Sequence, residues 1–131
     1  MSKTLRGLLA AGTAAATVAL VFPASAHADE VAGPGIAARD CISTAGATAC
    51  FESYGDKFYV KDRKKDGYSA YAFWFTNYGR DGACINRRGA GKWKRCNYNM
   101  KEGKGIGWYA QTRDGDTGKW GPKSSVRSAS I

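Results

Sequence analysis

After residue 48 the apolar and polar positions of this chain alternate with the two-residue period of β-strands, and no stretch carries capped helical periodicity. Ser69–Asn77 (SAYAFWFTN) is the strongest case, aromatic-rich and flanked by turn residues. At period two, Ala70, Ala72, Trp74 and Thr76 share one face, while Tyr71, Phe73 and Phe75 share the other. Both faces are apolar, which predicts a central strand buried on both sides. The alternative is an aromatic face, Tyr71–Phe73–Phe75, left open for a partner and joined by the nearby Trp93.

Shorter strands surround it. ACFESYG (49–55) and KFYVKD (57–62) meet at the turn dipeptide Gly55-Asp56; in the second, Phe58 and Val60 oppose Lys57, Tyr59 and Lys61. A charged loop, DRKKDG, leads into the aromatic strand. Ala83–Asn86, Lys92–Cys96 and Ile106–Arg113 follow, separated by Gly- and Asp-rich turns. In Lys92–Cys96, Trp93 and Arg95 face away from Lys92, Lys94 and Cys96. The pattern predicts an all-β domain, a small antiparallel sandwich or barrel of about six or seven strands.

The flanks read differently. Residues 1–28 form a signal peptide: Lys3 and Arg6, an apolar run to Phe22, then Pro23 before the small-x-small site Ala26-His27-Ala28. Residues 29–48 are small and Gly/Ala-rich, predicting a flexible N-terminal arm with Ile36 as its one large anchor. The β-domain is expected over 49–123 and a disordered Ser-rich tail over 124–131. No membrane-spanning segment is expected after the signal is removed.

Cleavage after Ala28 removes the only histidine of the sequence, His27. A mature chain without His lacks Ser-His and Cys-His couples and His-ligated zinc, so no enzymatic activity is expected. Glu52 and Asp56 are the remaining carboxylate route, better read as a cross-strand partner of Lys and a turn residue. Asp114-Gly-Asp-Thr-Gly and Asp62–Asp66 superficially suggest calcium loops, yet they read as hairpin turns. No metal or cofactor is expected.

Cys41, Cys50, Cys84 and Cys96 all remain in the mature chain. An even count in a small exported domain implies two disulfides, and three pairings are possible. Cys41–Cys50 with Cys84–Cys96 is favoured, since each pair brackets a short segment that could close a turn.

The signal carries two of the 20 Lys and Arg and none of the 11 Asp and Glu, so the mature chain keeps a net charge of +7. Much of this sits between Arg80 and Lys104, with Arg80, Arg87, Arg88, Lys92, Lys94 and Arg95 as candidate contacts. With Trp93 and Tyr98 interleaved the stretch has an oligonucleotide-binding look. In an exported chain the nearer polyanions are cell-envelope polymers, anionic lipids or an acidic protein, so nucleic acid is not the expected partner. A solvated basic face is the plainer reading.

The run CFESYGDKFYVKD, then DGYSAYAFW, then GACINRRGAGKWKRCN resembles small secreted two-disulfide proteins of actinomycetes over about Cys50 to Trp120. That resemblance implies a scaffold and an exported lifestyle, not an active site. In general design, a compact β-domain behind a signal peptide and an arm, the chain is similar to the small adaptor subunit of streptomycete umbrella toxin particles. There the adaptor joins a lectin-like subunit to a large toxin subunit.

Three functions follow as expectations. The first is a secreted, non-enzymatic protein-interaction module, an adaptor in an exocellular assembly. The second is a cationic envelope-binding or antimicrobial protein. The third is a protease inhibitor with Arg87-Arg88 as bait between Cys84 and Cys96.

Overall fold

The structure is a computed structural model and describes residues 40–131. The signal peptide, the arm over 29–39 and Ile36 lie outside the described residues. Among those described there are eight strands and no helix: β1 (Asp40–Ser43), β2 (Ala47–Glu52), β3 (Lys57–Asp62), β4 (Tyr68–Thr76), β5 (Asp81–Asn86), β6 (Trp93–Asn97), β7 (Gly105–Asp114) and β8 (Arg127–Ser130). All pair antiparallel, in two four-stranded sheets ordered β1-β2-β3-β6 and β5-β4-β7-β8. The sheets pack face to face, β2 against β7 and β3 against β4. The all-β expectation holds, in its sandwich form.

Strand alternation builds the core directly. Ala49 and Phe51 of β2, Phe58 and Val60 of β3, Ala70, Ala72 and Trp74 of β4, and Ile106, Trp108 and Ala110 of β7 all point inward and are buried. Trp108 is its centre: fully buried, in ring contact with Phe51 and Phe58. Its indole N–H donates to the Ala49 carbonyl at 3.3 Å. Trp74 packs along Phe58 and lies across Gly82 of β5, where a Cβ would come within 2.5 Å of its ring. Only glycine lets that strand approach so closely.

Both disulfides pair as favoured. Cys41 and Cys50 are directly opposite in β1 and β2, with Cα atoms 4.0 Å apart. Cys84 of β5 and Cys96 of β6 join the two sheets along one open side of the sandwich. On the other side β1 lies near β8, where Arg127 and Asp40 form an ion pair at 2.9 Å. Two disulfides fit an oxidising compartment. No helix among the described residues is long and apolar enough to cross a membrane.

Two boundaries differ from expectation. Asp40–Thr48 was expected within the loose arm, yet it forms β1 and the start of β2, because Cys41–Cys50 and the ladder to β2 hold it. The tail over 124–131 was expected to be disordered, yet Arg127–Ser130 pairs with Gly105–Trp108 as β8. Ile131 is buried in the core beyond it, its N–H donating to the Lys104 carbonyl and its carbonyl accepting from Gly103. Backbone pairing and one buried side chain outweigh a polar composition there.

Candidate interaction surface

The outward positions of β4 and β7 carry the molecule's aromatic stripe. Tyr71, Phe73 and Phe75 project outward from β4, and Tyr109 stands opposite Phe73 on β7. Tyr71 stacks on Phe73 with centroids 5.4 Å apart, and Phe73 on Tyr109 at 5.3 Å. The segment after β7 then folds back along that strand. Gln111 donates to the Gly121 carbonyl, Gly121 N–H donates to Thr112, and Ser124 N–H donates to Ala110. This return sets Trp120 over the stripe, 5.1 Å from Tyr71 and 5.5 Å from Phe73.

Burial is graded along the stripe. Tyr71 is only 5 % exposed, Phe73 is half-buried, and both Phe75 and Trp120 are 44 % exposed. The expectation of a strand buried on both faces therefore holds at the Tyr71 end and fails at the Phe75 end. Phe75 reaches across Gly107, where a Cβ would come within 2.6 Å of its ring, so the far end of the ring takes the space a side chain at 107 would fill. Beside it a shallow cavity of about 240 Å³ runs to Ser128 and Ala129. Lys123 sits over Tyr109 at 4.8 Å and Arg113 over Trp120 at 5.1 Å, giving the stripe a cationic border.

Trp93 does not join this surface. It belongs to β6, on the outer face of the other sheet, beneath the Lys61 ammonium at 5.6 Å. Its neighbours there are polar: Tyr59 stands between Cys50 and Arg95, and Glu52 is opposite Lys57. Burial raises the Tyr59 phenol above its ordinary pKa, with Glu52 adding to the rise and Arg95 opposing it.

The expected basic face is likewise divided. Arg80 lies in the turn between β4 and β5, its guanidinium over Trp74 and bonded to the Asn99 carbonyl. Arg87 and Arg88 lie beyond the far end of β5, and Lys92 beside them before β6. Arg95 faces outward from β6, whereas Lys94 takes the inward register opposite Val60 and is half-buried. The cations sort by end of the sandwich instead. The four connections leaving one end (44–46, 63–67, 87–92 and 115–126) carry eight Lys and Arg against Asp66 and Asp116. The three at the other end (53–56, 77–80 and 98–104) carry three against Asp56 and Glu102.

Asn86, which the sequence did not single out, organises the cationic end. Fully buried, it donates from Nδ2 to the carbonyls of Val60 and Lys92 and accepts the Arg88 N–H at Oδ1. An Asn before two arginines gives little sign of this in sequence.

The carboxylates have structural employment. Asp56 is buried in its turn at φ 51°; its Oδ2 accepts the Met100 N–H and its carbonyl accepts Tyr98 N–H. Asp114 accepts the N–H groups of Asp116 and Thr117, and these bonds hold its pKa below the usual value. Among the described residues no three His, Cys, Asp or Glu gather as a metal site. No protein family, curated protein or solved structure matches this chain.

Proposed function

We propose that this chain is a secreted, non-enzymatic interaction module, an adaptor that docks a protein partner on the outer face of the β5-β4-β7-β8 sheet. The observation that carries this reading is the aromatic stripe ending in the exposed rings of Phe75 and Trp120. Tyr, Trp and Phe dominate the buried centres of protein interfaces, because each covers much apolar area with few rotatable bonds. The border of Lys123 and Arg113 calls for a partner with apolar side chains at the centre and carboxylates at the rim. The signal-like leader, the two disulfides and the absence of His after residue 28 agree with an exported binding role. Service in a toxin assembly rests on likeness of design alone.

The test is native size-exclusion of culture supernatant with mass spectrometry of the fraction containing the chain. Support is elution in a stoichiometric complex that Phe73→Ser with Phe75→Ser dissolves and Trp93→Ser preserves. Elution of the parent as a free monomer, or a complex indifferent to the Phe substitutions, rejects the reading.

A further inference from the structure

The β5-β4-β7-β8 sheet ends at β8, and among the described residues no strand pairs with its far edge. The ladder fixes which groups lie open there. The Ile131 N–H donates to the Lys104 carbonyl at 2.8 Å, and on the other side of β7 the Gly105 carbonyl accepts from Asn77. Strand alternation then turns the backbone groups of Arg127 and Ala129 towards β7, and those of Ser128 and Ser130 towards the open edge. Both serines are exposed. An edge of this kind is a template for one more strand.

Alongside it lies the shallow cavity of about 240 Å³, lined by Phe75, Gly105, Ile106, Gly107 and Ala129 together with Ser128. It is smaller than the roughly 300–1,000 Å³ of small-molecule sites. One aliphatic side chain, carried in by a peptide, suits it better. An open edge with a side-chain pocket beside it is how sheets receive extended peptides: backbone bonds hold the strand and the pocket selects a residue.

The chain itself supplies such a peptide. Residues 29–39, outside the described residues, join β1 at Asp40. Asp40 is tied by its 2.9 Å ion pair to Arg127, the first residue of β8. Ser128 and Ala129 of the cavity are the next two residues. Ile36 stands four residues before Asp40, within reach of up to about 14 Å. Packed sheets lie about 10 Å apart, so that reach crosses from the edge of one sheet to the edge of the other.

Direction and length agree as well. β1 runs towards the 44–46 turn, whereas β8 runs the opposite way, towards the level of Gly105. A segment that continues β1 backwards along β8 is therefore antiparallel to it. Gly33-Pro34-Gly35 punctuates the chain just upstream. What remains, 36–39 (IAAR), matches the four residues of β8.

We propose that residues 36–39 add to the open edge of β8 as an antiparallel strand of the same molecule, with Ile36 seated in the cavity beside Phe75. The chain then passes from one sheet to the other and closes the flank that the Arg127–Asp40 pair holds. The cavity shares Phe75 with the aromatic stripe, but the strand forms without a partner, so it does not rest on the function proposed above.

The test is solution NMR of the isolated chain beginning at Asp29, with its isoleucine methyls labelled. Contacts between the Ile36 methyls and the Phe75 ring are expected, with slow exchange of the Ser128 and Ser130 amides. Ile36→Ser should speed exchange of those two amides about tenfold or more, while Ala129, bonded to β7, stays protected and reports an intact fold. Removal of residues 29–35 should leave both serine amides slow. Equal exchange of Ser128 and Ser130 in the parent and in Ile36→Ser overturns the added strand. Ile36–Phe75 contacts found only between labelled and unlabelled copies overturn its origin in the same molecule and put a second copy on the edge.

Discussion

The two sheets of this sandwich have four strands each and share one core, yet their outer faces are of different kinds. On the β1-β2-β3-β6 sheet nearly every outward side chain has a neighbour across the strands. Cys41 is bonded to Cys50, Tyr59 stands by Arg95, Glu52 by Lys57, and Lys61 covers Trp93. The β5-β4-β7-β8 sheet carries a stack of rings that is buried at Tyr71, beneath the half-open Trp120, and ends in the open at Phe75. Alternation alone produces both faces. Whether the outward residues satisfy one another decides which face is finished and which is available to a partner.

The largest expected effect comes from separating the faces. Cys84→Ala with Cys96→Ala removes the bond between the sheets and should lower stability by about 2–5 kcal/mol in urea unfolding. Cys41→Ala with Cys50→Ala cuts a tie within one sheet. It should speed hydrogen exchange mainly in Asp40–Ser43, leaving β4 and β7 protected. Equal behaviour of the two pairs would mean that the inter-sheet bond has no special part.

Binding should distinguish the faces next. Phe73→Ser should cost partner affinity about 2 kcal/mol or more, while Trp93→Ser leaves it unchanged, both read by titration with the isolated partner. A reversed result would move the interface to the other sheet.

A smaller effect lies in Asp62, whose pKa is raised chiefly by burial and further by Asp66, against the lowering bond from Lys64. Because the folded form holds its proton more tightly than the unfolded form, stability falls as pH rises from the usual carboxylate value through the raised one. Asp62→Asn keeps an acceptor for Lys64 and removes that loss. Its melting temperature should exceed the parent's at neutral pH, with the gap closing in acid. The smallest change is Lys61→Ala, about 0.5–1 kcal/mol or less for a cation over an accessible ring.

Much of this architecture was legible in the sequence. Period-two alternation located β2 to β7, and short cysteine spacings favoured the observed disulfides. The strands that escaped notice, Asp40–Ser43 and Arg127–Ser130, are short edges held by backbone pairing and by neighbours distant in sequence, which leave no periodic hydrophobic trace. The candidate surface was half legible. Tyr71, Phe73 and Phe75 share a face by alternation, but Tyr109 and Trp120 come to it through pairing and a chain reversal. Trp93 was misassigned for a related reason, since alternation gives a residue's side of its strand and not the sheet that strand joins. The spread of Arg80 and Arg87 to opposite ends follows from the length of β5, visible only once both turns were fixed.

The Cys84–Cys96 bond has a mechanical consequence. It rivets one flank of the sandwich, while the flank where β1 and β8 meet is latched by Arg127 and Asp40. Tension applied through β1 and β8 acts on that latch, so the sheets would part as a book opens, from the latched flank towards the riveted spine. The 12-residue separation between the two cysteines would stay hidden from the pulling force, shortening the fully stretched chain by about 40 Å.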